Sequence, residues 1–533
     1  MNKRILVILS LLLLSISIVT IGTAGPIPGG TLTFLASASP DNLDPQATVM
    51  AVSWWVFSLI VDTLTARDHN MEIVPHLAES WKMSEDGLTW IFHLRRGVRF
   101  HDGTPFNAEA AAFSFNRFVE VAPIGVLAAL KETVVIDEYT IEMRLTGPAP
   151  MLLDDLASAY AGIISRAAVE KYGEDHGIVN MVGTGPFKFD KFIPGDRVEL
   201  VRNEKYTWGP GFVANPGPAW LARIVLKVIP EGMTRVMEFE HRVARGDAVT
   251  AAIPVGDILR LKVDPAIQTL TNPATGADIL FINTTIWPFD NVRMREALIH
   301  AIDTQSIVEF VLEGLAVPAY TFISPPQIGY AWAAGPIPLI RREFDPERAR
   351  ALFAEAGWLP GPDGILVHQE TGRRAEFGLL AHTGHIGEPE VIKEQLREVG
   401  LDIRISILEP AASVAKAREG VYELYKIGYG WPDITLGFDL FHTRQIRGLN
   451  FSFFSDPEVD RLIDTALTDL DPEVRAAAWN KAHVRILKMA PFGPQWHDTV
   501  FNMASTTVGG WVEHLGAHPQ WSRAIFALDL YVR

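Results

Sequence analysis

The stretch from Glu72 to Asn116, EIVPHLAESWKMSEDGLTWIFHLRRGVRFHDGTPFNAEAAAFSFN, decides the fold. Asp86-Gly87 signals a tight turn, because glycine tolerates the positive φ that such turns need. After it, Leu88, Trp90, Phe92 and Leu94 alternate with Thr89, Ile91, His93 and Arg95, the two-residue period of a strand with one buried face. His101-Asp102-Gly103-Thr104-Pro105 reads as a second turn. Asn107 then suits a helix N-cap, with Glu109 in the first turn where negative charge meets the positive helix end. Ala111, Phe115 and Phe118 share one side of that helix. The stretch describes a scaffold and supplies neither a nucleophile nor a metal site.

Taken in order, Pro75, Leu77, Ala78, Ser80, Trp81, Asp86, Gly87, Thr89, Trp90, Phe92, Leu94, Arg95, Gly97, Val98, Phe100, His101, Asp102, Gly103, Pro105, Phe106 and Ala108 form a string. It resembles the signature region of the family 5 extracellular solute-binding proteins, the dipeptide, oligopeptide and nickel binders of ABC importers. Three further segments resemble that family. They are Asp41-Asn42-Leu43-Asp44-Pro45, the Gly183-Thr184-Gly185-Pro186-Phe187 turn with Arg202-Asn203 and Tyr206, and Asn283-Thr284 with Pro288-Phe289-Asp290-Asn291-Val292-Arg293. The resemblance implies an α/β, two-lobed periplasmic binding protein fold (type II, large peptide-binder class) with an extra subdomain inserted in the first lobe. The expected division is a signal peptide over 1–24, lobe I over 25–50, the inserted subdomain over 51–183, lobe I again over 184–275, lobe II over 276–491, and a return to lobe I over 492–533.

Length and charge agree with that expectation. A chain of 533 residues exceeds one ordinary domain. Its net charge of −16 argues against nucleic acid as a partner, since phosphate binding needs a basic surface. Lys3 and Arg4 precede an apolar run from Ile5 to Val19, and Gly22-Thr23-Ala24 supplies small residues before Gly25. That is the layout of a cleavable secretory signal peptide. No cysteine is present, so neither disulfides nor an N-terminal lipid-bearing cysteine can form. The expectation is a soluble periplasmic monomer that is not a lipoprotein, with an inner-membrane ABC permease as partner.

Along the chain, Thr31–Leu35 reads as a strand and Val52–Leu64 as a helix holding Trp54 and Trp55. Val134–Asp137 and Thr140–Leu145 form a strand pair. The Gly-x-Gly-Pro at Gly183 reads as a tight turn feeding a strand rather than a dinucleotide loop, because Pro186 follows the second glycine and a third is missing. Asp345-Pro346, Asp456-Pro457 and Asp471-Pro472 each open a helix. Helix, glycine and strand follow one another at Glu388–Val399, Gly400 and Leu401–Ile405, the order of a βα lobe.

The best candidate for a ligand site is Tyr429-Gly430-Trp431-Pro432-Asp433. In the family an aromatic segment ending in Tyr-Pro-Asp-Pro lines the cleft, and an Asp just before it often pairs with a peptide's α-ammonium. Trp431, Pro432 and Asp433 match, whereas Gly430 stands where that Asp is expected. Trp496, in Pro494-Gln495-Trp496-His497, falls in another region that the resemblance places near the cleft. His385 belongs to the Leu379–His385 segment, where dipeptide binders often carry an Arg. Two histidines, His382 and His385, suit nickel, but no cysteine or carboxylate completes a set. No metal, cofactor or catalytic residue is therefore assigned. Trp54, Trp55 and Trp521 are further stacking candidates. Ser413-Val414-Ala415-Lys416 has the Ser-x-x-Lys form without its partner motifs. The expected ligand is a peptide-like small solute. An oligosaccharide or a nickel complex are the alternatives within the family, and a secreted hydrolase is the rival from another class.

Overall fold

The computed structural model describes residues 26–532 apart from 49, 69, 123–125, 251–252, 336–339, 386, 432 and 511–526. The leader over 1–24, Pro432 and Trp521 thus lie outside the described residues. The strand expected after Asp86-Gly87 runs Thr89–Leu94, and Trp90, Phe92 and Leu94 are its buried residues. Leu88 stays in the turn and is exposed. The Asp86 carboxylate tightens that turn by accepting from the Leu88 N–H (3.0 Å) and the Ser84 hydroxyl (2.6 Å). This strand is the second of a four-stranded antiparallel sheet, in the order Ala78–Met83, Thr89–Leu94, Thr140–Leu145, Leu130–Asp137. Asn107 caps the helix Ala108–Val121 by accepting from Ala110 N (3.0 Å), and Ala111, Phe115 and Phe118 are buried.

The helix expected over Val52–Leu64 is shorter, Ala51–Phe57. Beyond it, main-chain groups that a helix would use internally are taken by another segment. The Leu59 and Ile60 carbonyls accept from Phe187 N (3.0 Å) and Gly185 N (2.8 Å). A Cβ on Gly183 would lie 2.2 Å from the Ile60 oxygen, and one on Gly185 would lie 2.6 Å from the Ile60 carbonyl carbon. The glycine pair thus serves backbone-to-backbone approach. His101 fastens the same junction from its turn through Nε2 to the Gly185 carbonyl (2.9 Å), and burial pushes its ring down to about 4.

A twelve-stranded sheet runs through the molecule. Its order is Asp402–Leu408, Glu376–His382, Leu424–Gly430, Gly276–Ile282, Phe492–Ser505, Ala248–Thr250, Thr31–Ala36, Arg223–Val228, Arg197–Arg202, Phe187–Ile193. Ile267–Pro273 and Ala316–Pro318 also pair with Phe492–Ser505. That strand is shared. Its first half pairs with Gly276–Ile282, from Phe281↔Phe492 to Asp278↔Trp496. Its second half pairs with Ile267–Pro273, from Pro273↔Thr499 to Ile267↔Ser505. The change of partner lies opposite residues 273–276, and the Ala274 N–H bonds the Asp498 carbonyl there (2.8 Å).

Apolar packing divides on either side of this change. One cluster joins Phe34, Ile224 and Leu226 of the large sheet to Trp90, Phe92 and Phe115 of the four-stranded layer. On the other side, Gly276–Ile282 is buried along its whole length. Leu280 and Ile282 pack with Trp358, Phe377 and the helices Val292–His300, Pro346–Glu355 and Glu388–Glu398. Ala277, Ile279 and Phe281 face Phe438 and the helices Pro457–Thr468 and Pro472–Met489. This is a sheet with helices on both faces, and its strand Gly276–Ile282 is accordingly buried throughout. The Asp-Pro pairs open helices as expected, since Asp345, Asp456 and Asp471 each accept from an N–H of the first turn.

Gly276 begins the second-lobe strand opposite Gly430, and a Cβ there would lie 1.8 Å from the Tyr429 carbonyl oxygen. Gly276→Ala must therefore push two paired backbones apart. Guanidinium denaturation of the variant is expected to show a loss of about 1–3 kcal/mol, the range for forced overpacking. An unchanged midpoint would show that the strands can separate there without cost.

Candidate ligand-binding site

A cavity of about 390 Å³ lies between the two packing units. One wall comes from the first helix and the segment after it (Trp54, Asp62, Arg67, His76) and from the 148–159 segment (Met151, Asp154, Asp155, Ser158). The other comes from Ile328, Trp431, Asp433, Thr435 and Asp439. Its size falls within the range of small-molecule sites, roughly 300–1,000 Å³.

The second-lobe wall is a loop with its backbone pinned. The Trp431 N–H donates to the Thr275 carbonyl (3.0 Å), at the point where the shared strand changes partners. Gln327 Nε2 donates to the carbonyls of both Trp431 and Asp433 (3.0 Å each), while its Oε1 accepts from Ser324 N (2.7 Å). Ile434 N bonds Ile328 O (3.1 Å). Asp433 Oδ1 accepts from the Thr435 N–H (2.7 Å) and the Thr435 hydroxyl, at the start of the helix Thr435–Asp439. The loop is therefore a rigid wall tied to the crossing.

The first-lobe wall carries a buried polar network. Asp62 accepts from the Thr184 hydroxyl (2.9 Å), the Tyr206 hydroxyl (3.1 Å) and the Trp208 indole (2.9 Å). His76 Nε2 lies 3.5 Å from Asp62. Burial pushes the His76 ring below its ordinary value, against the pull of Asp62, so the imidazole is neutral. Arg67 pairs with Asp154 and donates to the Met71 carbonyl (3.1 Å).

Two carboxyl groups stand out electrostatically. Burial holds Asp155 well above its ordinary value, and the negative charges of Asp433 and Asp154 push it further, with Arg67 opposing. Burial also raises Asp433, against its bonds from Thr435, and the Asp154 charge adds to the rise.

The sequence-derived candidates are placed unequally. Trp431 and Asp433 line the cavity. Tyr429 turns away from it, and its hydroxyl donates to the Phe322 carbonyl. Gly430 faces Gly276 across the sheet. Trp496 is buried in the second-lobe core, where its indole donates to Asp498 (3.1 Å) and the Lys426 ammonium sits 4.0 Å over its ring. Lys426 is itself buried and paired with Asp278, and burial pushes its ammonium well below the ordinary value. His385 is buried beside Glu388 (3.7 Å), with its ring 4.3 Å from that of His382. The described residues hold no group of three or more side chains arranged to take a metal ion. Among the stacking candidates Trp54 lines the cavity, whereas Trp55 packs on Phe34 (4.3 Å). Sequence reasoning missed Asp62, Arg67, His76, Asp154, Asp155 and Gln327. The adjacent Asp154-Asp155 was the one local signal, an acidic pair behind an apolar run.

Residues 72–441, more than half of the chain, match the model of the bacterial extracellular solute-binding proteins, family 5 Middle, and the chain belongs to that family. It is 26% identical to the dipeptide-binding protein of Escherichia coli (strain K12), over 95% of this chain and 97% of the relative. It is 28% identical to heme-binding protein A of Haemophilus influenzae, over 91% and 90% of the two chains. Its fold is similar to that of the ABC transporter-associated periplasmic binding protein DppA from Helicobacter pylori, solved in complex with the peptide STSA. The TM-score is 0.74 at 24% identity, covering 95% and 99% of the two chains. The fold is thus the two-lobed α/β architecture of the family. Among the described residues, no helix is long and apolar enough to cross a membrane.

The raised carboxyl groups give a signed expectation. Asp155 keeps its proton in the folded state above the ordinary value of 3.8, where the unfolded chain has released it. Its contribution to stability is present below 3.8 and lost as pH rises through the folded value. Asp155→Asn removes that loss. Thermal melts from pH 4 to pH 8 are expected to show the variant melting above wild type at pH 7, with the difference shrinking towards pH 4. A variant that melts lower at pH 7 would show that the carboxylate is stabilised rather than repelled.

Proposed function

We propose that this protein is the periplasmic solute-capturing component of an ABC importer, and that it takes a peptide-like small solute into the cavity at Trp431. The observation that carries the reading is the two-sided wall. One cavity draws lining residues from both lobes, so a solute there touches both at once. Such a solute favours the closed arrangement by the difference between its affinities for closed and open forms, and by nothing else. Capture needs no bond-making step, in keeping with relatives named for what they bind. The dipeptide-binding relative and the peptide-bound structure favour a peptide. Export through the leader over residues 1–24 delivers the mature chain, beginning at Gly25, to the periplasm as a free monomer that meets the permease there.

Thermal shift of the mature protein, unfolded and refolded to strip any solute, tests the ligand class. Di- to pentapeptides, oligosaccharides and nickel with and without chelators make the panel. A peptide at a hundredfold excess over its Kd is expected to add about 2.7 kcal/mol of stability. Trp431→Ala is expected to abolish most of that gain. A response to sugars alone would overturn the peptide reading and leave Trp54 and Trp431 as stacking faces. N-terminal sequencing of periplasmic material is expected to begin at Gly25, and intact Met1 in a membrane fraction would overturn the export reading.

A further inference from the structure

The charges lining the cavity do not balance, and the imbalance specifies the solute more closely than its size does. This inference rests on the capture reading above. We propose that the solute carries a cationic nitrogen, an ammonium or a guanidinium, seated between Asp155 of the first-lobe wall and Asp433 of the second. The ion thereby acts as an electrostatic clasp across the cleft.

Five carboxylates line the cavity, and three of them are already committed. Asp62 is saturated by Thr184, Tyr206 and Trp208. Asp154 is paired with Arg67, and Asp439 with Arg444 (2.7 Å). Asp433 uses one oxygen for Thr435, and its other oxygen has no hydrogen-bond partner among the described residues. Asp155 accepts from the Leu127 backbone and faces no cation of its own, since Arg67 is engaged by Asp154. Two carboxyl groups that share a cavity do not ionise together readily, and Asp155 accordingly holds its proton well above the ordinary carboxyl value.

An independent observation points the same way. His76 is fully buried in the wall of this cavity, and neither ring nitrogen makes a hydrogen bond among the described residues. Buried polar groups are almost always satisfied, so one left open at a cavity asks for a partner from the solute. The neutral ring carries one N–H, favoured on Nε2 towards the Asp62 carboxylate (3.5 Å), which leaves the Nδ1 lone pair for an incoming N–H. The open polar groups are thus acceptors: two carboxylates and an imidazole. An anionic solute would add to the repulsion and find one cation, already paired. A neutral solute would supply donors without cancelling charge. A cation does both.

The placement also couples charge to closure. Asp155 and Asp433 belong to opposite walls, so approach of the lobes around an empty cavity favours a retained proton, and a cation between them lets both carboxylates ionise. The position that family resemblance gives to an ammonium-binding Asp is Gly430, which lies outside the lining. The acid pair is a separate construction.

A two-by-two set of dipeptides separates the sources of the cation. Arginyl-leucinamide has both an α-ammonium and a guanidinium, citrullyl-leucinamide only the first, N-acetyl-arginyl-leucinamide only the second, and N-acetyl-citrullyl-leucinamide neither. Agmatine supplies cations without a peptide bond. Titration calorimetry is run at pH 7 on refolded wild type, Asp155→Asn and Asp433→Asn, each checked for folding by its melt. The uncharged probe is expected to bind at least tenfold more weakly than the better singly cationic dipeptide, and the identity of that dipeptide names the source. Each Asn variant is expected to weaken every cationic probe at least tenfold and to leave the uncharged one unchanged. If the uncharged probe binds as tightly as the others, or if neither variant alters affinity, the cation inference is overturned while peptide capture stands. If agmatine alone binds, and does so through both acids, the inference stands and the peptide reading fails. No binding by any probe overturns both.

Discussion

The hydrogen-bond ladder of one strand, Phe492–Ser505, holds the architecture together. Its first half belongs to a sheet whose core is the second lobe, and its second half to the sheet of the first. Both lobes therefore hang from consecutive peptide groups of the same extended segment. A few residues, 273–276 on one side and those around Asp498 on the other, must absorb any change in the angle between them. Small changes of φ and ψ at such positions move large bodies. The loop at Trp431 is tied to the same place, since Trp431 donates to the Thr275 carbonyl.

Local instructions were legible in the sequence because each is closed by neighbours in the chain. Asp86-Gly87 made its turn, Asn107 capped its helix, and the Asp-Pro pairs opened theirs. The family string around Glu72 placed these pieces in a two-lobed architecture, which the match over residues 72–441 supports. Where distant backbone intervened, local reading fell short. The helix expected to reach Leu64 stops at Phe57 because Gly185 and Phe187 take its continuation as a docking edge. Propensity yields when tertiary hydrogen bonds use the same main-chain groups.

The cavity was less legible than the fold for the same reason. Trp431 and Asp433 were visible through a motif, but the opposite wall is assembled from residues near 62, 67, 76 and 155, which share no periodicity. His76 sits inside the diagnostic stretch itself and reads there as scaffold. Its significance lies in what surrounds it, a buried ring with both nitrogens open, and only packing reveals that. Conversely, Trp496 and His385 stood out by where the family resemblance places their segments, yet the first is packed beneath Lys426 and the second leans on Glu388.

The four-stranded layer that interrupts the first lobe in the order of the chain does not interrupt it in packing. Trp90, Phe92 and Phe115 share a continuous apolar cluster with Phe34, Ile224 and Leu226, and the Gly183–Gly185 segment seats its backbone directly on residues 59–61. The layer is thus part of the first lobe's core rather than an appendage to it. Excising it would not trim an accessory but flay the first lobe, baring the apolar underside of its sheet to water. Residues 31–36 and 89–94 thus share one apolar core, although more than fifty positions of chain lie between them.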